Sequence, residues 1–250
     1  LYFGEPSDVN SSHAHLQKID LIIKGAIRDS VFPGAVAAVV KDGNLIYNKA
    51  FGYFDYDKLQ EVRSNTPYDL ASITKIMATT TAIMHLVDRG LLSLDDKVGT
   101  YIDSYISVEK NELTVRDLLN HESGLPAFKV YVDKIQDRKS LIEAVKNEDL
   151  QYEPLEKYVY SDLGLILLAE IIEIVSGERI DDYVRKHLFY PLGMSSTSFT
   201  PKNVGQWYAR SIPPTEMDTI YRKSLVQADV HDERAYYMDG VAGHAGLFSN

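Results

Sequence analysis

The chain has 250 residues, 45% of them apolar and 25% charged, a globular balance that excludes disordered and collagen-like chains. Its 26 basic and 36 acidic residues leave a net charge of −10, which argues against nucleic acid as a main partner. There is no cysteine, so disulfide frameworks, thiolate nucleophiles and Cys-based zinc sites are excluded, and no apolar run of about 18 residues that would span a membrane.

The start, Leu1-Tyr2-Phe3-Gly4, has neither the basic nor the apolar region of a signal peptide. It reads as the remnant of a cleavable tag, followed by a loose polar lead-in to residue 15. By length, the remainder, residues 16–250, fits one large domain or two small ones. Leu16, Ile19, Ile23 and Ile27 recur at helical spacing and predict a helix to Asp29, ended by Pro33-Gly34. Two β-branched runs, 35–40 and 45–51, flank Asp42-Gly43 and predict a hairpin. Residues 52–70 read as loop. Ile73, Ile76, Met77, Thr80, Met84 and Val87 lie on one stripe and predict a helix capped at Gly90. Thr114 to Asp117 resembles a capping box opening a short helix. Further helices are expected at 141–145, at 163–176 with Gly177 as cap, and at 180–189. Residues 200–237 are irregular, and a loop this long is functional or spread over the surface. Hairpin strands followed by a block of helices give α+β: an antiparallel sheet flanked by helices, plus an all-helical region.

Two fragments carry chemistry. In Ser72-Ile-Thr-Lys75 the hydroxyl and the amine lie one helical turn apart, so they can meet. A Ser hydroxyl needs a neighbour to take its proton. Taken alone, Ser-x-x-Lys is weak evidence, and Ser near a helix start is more often a cap. The second fragment is Tyr160-Ser161-Asp162, directly before the apolar helix. A phenol near cations can lose its proton and act as a base, but a packed aromatic beside an N-cap is the plainer reading. Asp229, His231, Asp232 and Glu233 have no cysteine and no second histidine nearby and read as a solvated loop, so no metal and no cofactor is expected. His121 is read as bonding backbone in its turn. Trp207 reads as an aromatic packed under a long loop.

In their contexts these fragments resemble one family. Asp69-Leu-Ala-Ser-Ile-Thr-Lys75, Gly90-Leu-Leu-Ser-Leu-Asp-Asp-Lys-Val98 and Thr114-Val-Arg-Asp-Leu-Leu-Asn-His-Glu-Ser-Gly-Leu125 resemble blocks of the serine β-lactamase-like and penicillin-binding-protein-like hydrolases. So do Tyr160-Ser161-Asp162 with 163–177, and Tyr190-Pro-Leu-Gly-Met194. The branch is that of class C β-lactamases, esterases and D-aminopeptidases, and the likeness runs over 16–250. It implies Ser72 as the acylated nucleophile, Lys75 as its proton partner and Tyr160 as base or relay. The Ser72 backbone N–H would be half of an oxyanion hole. Asp162 stands where the family has Asn; it orients Lys75 but can only accept hydrogen bonds. His244-Ala-Gly246 has the letters of the third family motif, yet its setting resembles an earlier Gly-rich block that precedes another helix. The third motif, the last strands and a C-terminal helix are then expected beyond Asn250.

The implied activity is hydrolysis of an ester, D-amino peptide or β-lactam carbonyl through a Ser72 acyl-enzyme, with a peptidase or esterase favoured because Asp162 alters the amide-reading position. The partner is a small-molecule or peptide substrate, not nucleic acid, and the expected location is the cell envelope. The alternative is a non-catalytic accessory module of a larger protein, such as one fused to a glycosidase. The complete set Ser72, Lys75 and Tyr160 favours activity.

Overall fold

The structure, a computed structural model, describes residues 2–102, 108–129, 131, 135 and 137–250. It is an α+β protein whose chain divides into two bodies: residues 1–68 with 210–214 and 250, and residues 69–209 with 215–249.

In the first body, helix α1 (His13–Arg28) covers a hairpin of β2 (Gly34–Lys41) and β3 (Asn44–Gly52). Lys41 pairs with Asn44 across Asp42-Gly43, and both turn residues have positive φ, as a tight two-residue hairpin turn requires. Leu16, Ile19, Ile23 and Ile27 bury their stripe against Ile46, Tyr47 and Phe51. Tyr47 Oη donates to Asp20 Oδ1 at 2.8 Å. Burial and this acceptor push the phenol up to about 12. The lead-in is more ordered than the sequence suggests. Tyr2–Phe3 (β1) pairs parallel with β3, and Pro6–Val9 forms a 3-10 turn. The Ser12 hydroxyl accepts from His15 N–H, so α1 starts three residues earlier than its apolar period begins. Tyr68–Asp69 (β4) leads into the second body.

The second body is built on a helix that is apolar almost all round. Counting α2 (Thr81–Asp88), α3 (Val108–Glu112), α4 (Val115–Leu119) and α5 (Arg138–Lys146), it is α6 (Asp162–Ser176). Leu163, Leu165 to Ala169, Ile171 and Ile172 are all buried. Gly177 ends it in the left-handed conformation, φ +70°. The predicted capping box closes: Thr114 Oγ1 accepts from Asp117 N–H, and Asp117 Oδ2 accepts from Thr114 N–H.

The helix around residue 75 departs from prediction. Ala71–Ile73 is a 3-10 turn, Lys75–Thr80 a wide π turn, and only α2 is α-helical. The predicted stripe is split: Ile73, Ile76 and Met84 are exposed and Met77 and Val87 only half-buried against the core, while Thr74, Lys75, Ala78, Thr79, Ala82, Ile83 and Leu86 are buried. Hydropathy places a lysine outside. Here the lysine is inside, and the buried line shifts with it.

The stretch 200–237 holds short elements: helices Pro201–Val204, Gln206–Ala209 and Glu233–Tyr237, and the hairpin β6 (Glu216–Asp218) with β7 (Ser224–Val226). Trp207 is not packed under this loop; it is exposed, edge-on to Tyr208. Strand β5 (Ser198–Phe199) pairs antiparallel with β8 (Leu247–Ser249), which directly follows the Gly-rich block of residues 240–246. Leu247 also accepts from Leu70 N–H and donates to Thr74 Oγ1. No described helix is long and apolar enough to cross a membrane.

The Gly-rich block lies hard against α6. A Cβ on Gly243 would sit 2.0 Å from Leu165 O, in backbone that cannot give way. Gly243→Ala is expected to cost about 3 kcal/mol. Gly177→Ala, which meets open space and only the left-handed penalty, should cost about 1 kcal/mol. Thermal unfolding of the two variants checks the ranking; equal melting temperatures would refute the close packing.

Candidate active site

Ser72 is presented by a strained turn. Ala71 has φ +45°, a conformation that side-chain-bearing residues rarely adopt. The Asp69 carboxylate holds it there: Oδ1 accepts from Ala71 N–H and Oδ2 from His231 N–H, both at 2.8 Å. Burial pushes the Asp69 carboxyl up, against those two N–H donors. Ser72 is exposed at this turn, whereas Lys75, one turn on, is 4% exposed.

Lys75 Nζ has three oxygen neighbours: Ser72 Oγ at 2.7 Å, Asp162 Oδ1 at 2.8 Å and His244 O at 3.2 Å. These match the three N–H donors of an ammonium. Thr79 Oγ1 donates to Gly243 O at 2.7 Å, which fixes the strand of backbone that delivers the His244 carbonyl.

Beyond Lys75 the contacts continue. Asp162 Oδ2 accepts from Arg234 Nη2 at 2.6 Å, Asp232 Oδ2 accepts from the same nitrogen at 3.0 Å, and Asp232 Oδ1 meets His244 Nε2 at 2.8 Å. His244 carries the carbonyl that faces Lys75, so the chain of contacts closes into a ring. Burial alone would push the Asp162 carboxyl up; the His244 ring, the Lys75 hydrogen bond and the Arg234 charge outweigh it and hold it below the usual range. Asp232 is held low in the same way, against the cost of its burial, chiefly by His244 and then Arg234. Two ionised carboxylates thus face Lys75, Arg234 and His244.

Tyr160 lies beside this ring, 44% exposed, with its ring centre 4.9 Å from Lys75 Nζ. Its hydroxyl makes no hydrogen bond among the described residues. His121 braces it, with ring centres 4.6 Å apart. His121 Nδ1 accepts from Ser161 N–H at 3.0 Å, so that nitrogen is unprotonated. Burial, and then the Lys75 charge, lower the His121 pKa against the pull of Asp162. The Ser161 hydroxyl donates to Pro126 O rather than capping α6, which leaves Asp162 free to face the cations.

The structure thus brings Ser72, Lys75, Tyr160 and Asp162 together. His244 joins them through its main chain; its side chain is buried and turned to Asp232. Asp232 and Arg234 belong to the ring, although the sequence reads their stretch as a solvated loop. Only an arginine next to acids in a polar segment hints at them, a signal shared by many surface loops. Among the described residues no group of three or more His, Cys, Asp or Glu could hold a metal. A cavity of about 560 Å³ lined by Thr200, Lys202, Asp229 and Tyr236 includes none of Ser72, Lys75, Tyr160 and Asp162.

The chain is similar in sequence and in fold to known proteins. An N-acetylmuramyl-L-alanine amidase of Bacillus subtilis (strain 168) is 36% identical over 281 residues, covering 98% of this chain and 64% of its own length. A protein of Escherichia coli O157:H7 named "Putative D-alanyl-D-alanine carboxypeptidase" is 36% identical over 278 residues, with 99% and 64% covered. The chain therefore spans less than two thirds of these relatives. The octameric penicillin-binding protein homologue from Pyrococcus abyssi matches with a TM-score of 0.76 at 27% identity, over 94% of this chain and 53% of that one. A class C beta lactamase from Rhodobacter sphaeroides shares the fold, with a TM-score of 0.71 at 24% identity over 92% of this chain and 61% of its own. The beta-lactamase family model matches residues 19–250, and the chain belongs to that family.

Proposed function

We propose that this chain carries the acylating site of a serine hydrolase, in which Ser72 Oγ attacks an ester, D-amino peptide or β-lactam carbonyl. The observation that supports it most is the 2.7 Å contact of a buried lysine with an exposed serine hydroxyl.

With three acceptors around it, the Lys75 ammonium has no lone pair to offer Ser72. Its part is to hold Oγ and to stabilise the alkoxide as it forms. Proton removal falls to Tyr160 as a phenolate, with Lys75 as the nearby cation. Tyr160 takes the Oγ proton as the Oγ–C bond forms, and the Ser72 N–H supplies one donor to the tetrahedral oxyanion. The intermediate collapses as the leaving group takes the proton from Tyr160. Water then attacks the acyl-enzyme, Tyr160 takes its proton, and that proton returns to Ser72 Oγ as the acid departs.

Both oxygens of Asp162 face cations and neither can donate. An acylamino carbonyl therefore finds no donor at this position, which favours peptides or esters over a dedicated β-lactamase. The amidase and carboxypeptidase names of the relatives support amide-type substrates, and with them a place in the cell envelope.

Intact mass after a fluorophosphonate probe tests the reading. One adduct is expected on the wild type and none on Ser72→Ala; no adduct on folded wild-type protein would overturn it and favour an accessory module. Ala71→Gly relieves the strained turn, so it should raise stability by up to about 1 kcal/mol while slowing labelling severalfold. A variant that gained stability at full labelling rate would show that the strain does not serve Ser72. His121 sets an acid limit. Its folded pKa is lowered, so its contribution is full above the unfolded value of about 6.5 and is lost as pH falls through the folded one. Labelling should fall on the acid side with a midpoint below about 6.5, and His121→Gln should abolish that limb. An unchanged limb in the variant would assign it to another group.

A further inference from the structure

The side chains of Arg222 and Arg234 are both buried and both paired with aspartate, yet they are used differently. Arg222 spreads its contacts: Nη1 to Asp218 Oδ2, Nη2 to the carbonyls of Val230 and His231, with Tyr236 under its plane. It ties a loop together. Arg234 concentrates on two carboxylates through Nη2 alone, and Nε and Nη1 have no partner among the described residues. The plane of Arg234 lies 4.5 Å from the ring centre of Phe128, and its side chain is 7% exposed.

We infer that Arg234 is a positioning residue for Lys75, acting through Asp162, and that the carboxylate at 162 and the guanidinium at 234 work only as a pair. The inference rests on the reading of Ser72 as nucleophile and Lys75 as its partner. Asp162 bridges two cations with one oxygen each. An amide at 162 has one oxygen and one NH₂, so it would turn a donor toward a donor at one end. Without Arg234, the second carboxylate oxygen would be left beside Lys75 with no partner. It would compete with Ser72 for the ammonium hydrogens, and the contact that aligns Oγ would loosen. Asp232 holds Arg234 from the other side, and through His244 Nε2 it steadies the residue whose carbonyl takes a further Lys75 hydrogen. Lys75 is thus held at two corners, which leaves one N–H aimed at Ser72.

The test is a double-mutant cycle read as the second-order rate of Ser72 labelling by the fluorophosphonate in wild type, Asp162→Asn, Arg234→Met and the double variant. Each single variant is expected to lose about tenfold or more, in the rate constant rather than in probe affinity. The double variant should stay within a few-fold of the better single one, rather than falling to the product of about a hundredfold. Arg234→Lys, a point charge in place of a fork, should recover part of the loss. Multiplicative losses in proteins that melt like the wild type would overturn the inference. A second readout is independent of acylation: the Nζ resonance of Lys75, assigned with Lys75→Arg, should move in Arg234→Met and return toward its place in the double variant. If the wild type takes no label, the acyl-enzyme reading fails. If the Lys75 resonance is unmoved by Arg234→Met, the pairing fails whatever the label does.

Discussion

A lysine ammonium taken out of water has to be met by acceptors and by opposite charge, or it does not stay charged. Much of the second body answers that requirement at Lys75. The wide turn at Lys75–Thr80 is stabilised by the Thr80 hydroxyl on Lys75 O. Thr74 and Thr79, on the same buried face, fix β8 and the Gly-rich block by one hydrogen bond each. That block can approach because Gly243 has no side chain, and its approach puts the His244 carbonyl on the ammonium. Asp162, the first residue of α6, supplies the counter-charge. Packing, backbone geometry and electrostatics thus converge on one nitrogen, and the serine it touches is the exposed end of the arrangement.

This dependence explains which parts of the molecule are legible in the sequence. Where burial follows hydropathy, period and punctuation suffice: the α1 stripe, the Asp42-Gly43 hairpin, the Thr114 capping box and the apolar run of α6 all stand where their residues point. Where burial follows charge, period misleads. The stripe of Ile73, Ile76 and Met84 is the outer face of its helix because Lys75 and two threonines take the inner one. The set Ser72, Lys75, Tyr160 and Asp162 is legible as motifs. Asp232 and Arg234 are not, since a contact spanning 72 residues leaves no mark on a single sequence. Tyr2–Phe3 were equally opaque: two residues at the edge of a sheet have no period to read.

The carboxylate at 162 changes the character of the site. Buried ion pairs contribute little net stability, because desolvation offsets most of the attraction, but removing one partner is costly, about 3–5 kcal/mol. The ring of Lys75, Asp162, Arg234, Asp232 and His244 is therefore better understood as a device that fixes register than as a source of stability. It joins a helical turn, the start of α6, the Glu233–Tyr237 helix and the Gly-rich block, four segments distant in sequence. Both carboxyls are held below their ordinary range, so their contribution is present above the unfolded value of about 3.9 and is lost only as pH falls through the lowered ones. Both carboxylates therefore stay ionised at neutral pH.

Strain and buried charge are both unfavourable locally, and both sit within a few residues of Ser72. Ala71 in the left-handed region costs about 1–2 kcal/mol, and an imperfectly paired charge costs more. What offsets them is the core immediately behind: Leu163, Ile166, Leu167 and Leu168 on α6 against Ile83 and Leu86, each fully or almost fully buried and each contributing roughly 1.5–3 kcal/mol. That core has no polar atom of its own to satisfy, so it can hold α6 rigid while Asp162 at its first turn faces the cations. The division explains why α6 is apolar nearly all round and yet opens with an acid. Its body supplies the stability that its first residue and the turn at Ala71 consume, and the geometry at Ser72 follows from keeping the two functions on one rigid element.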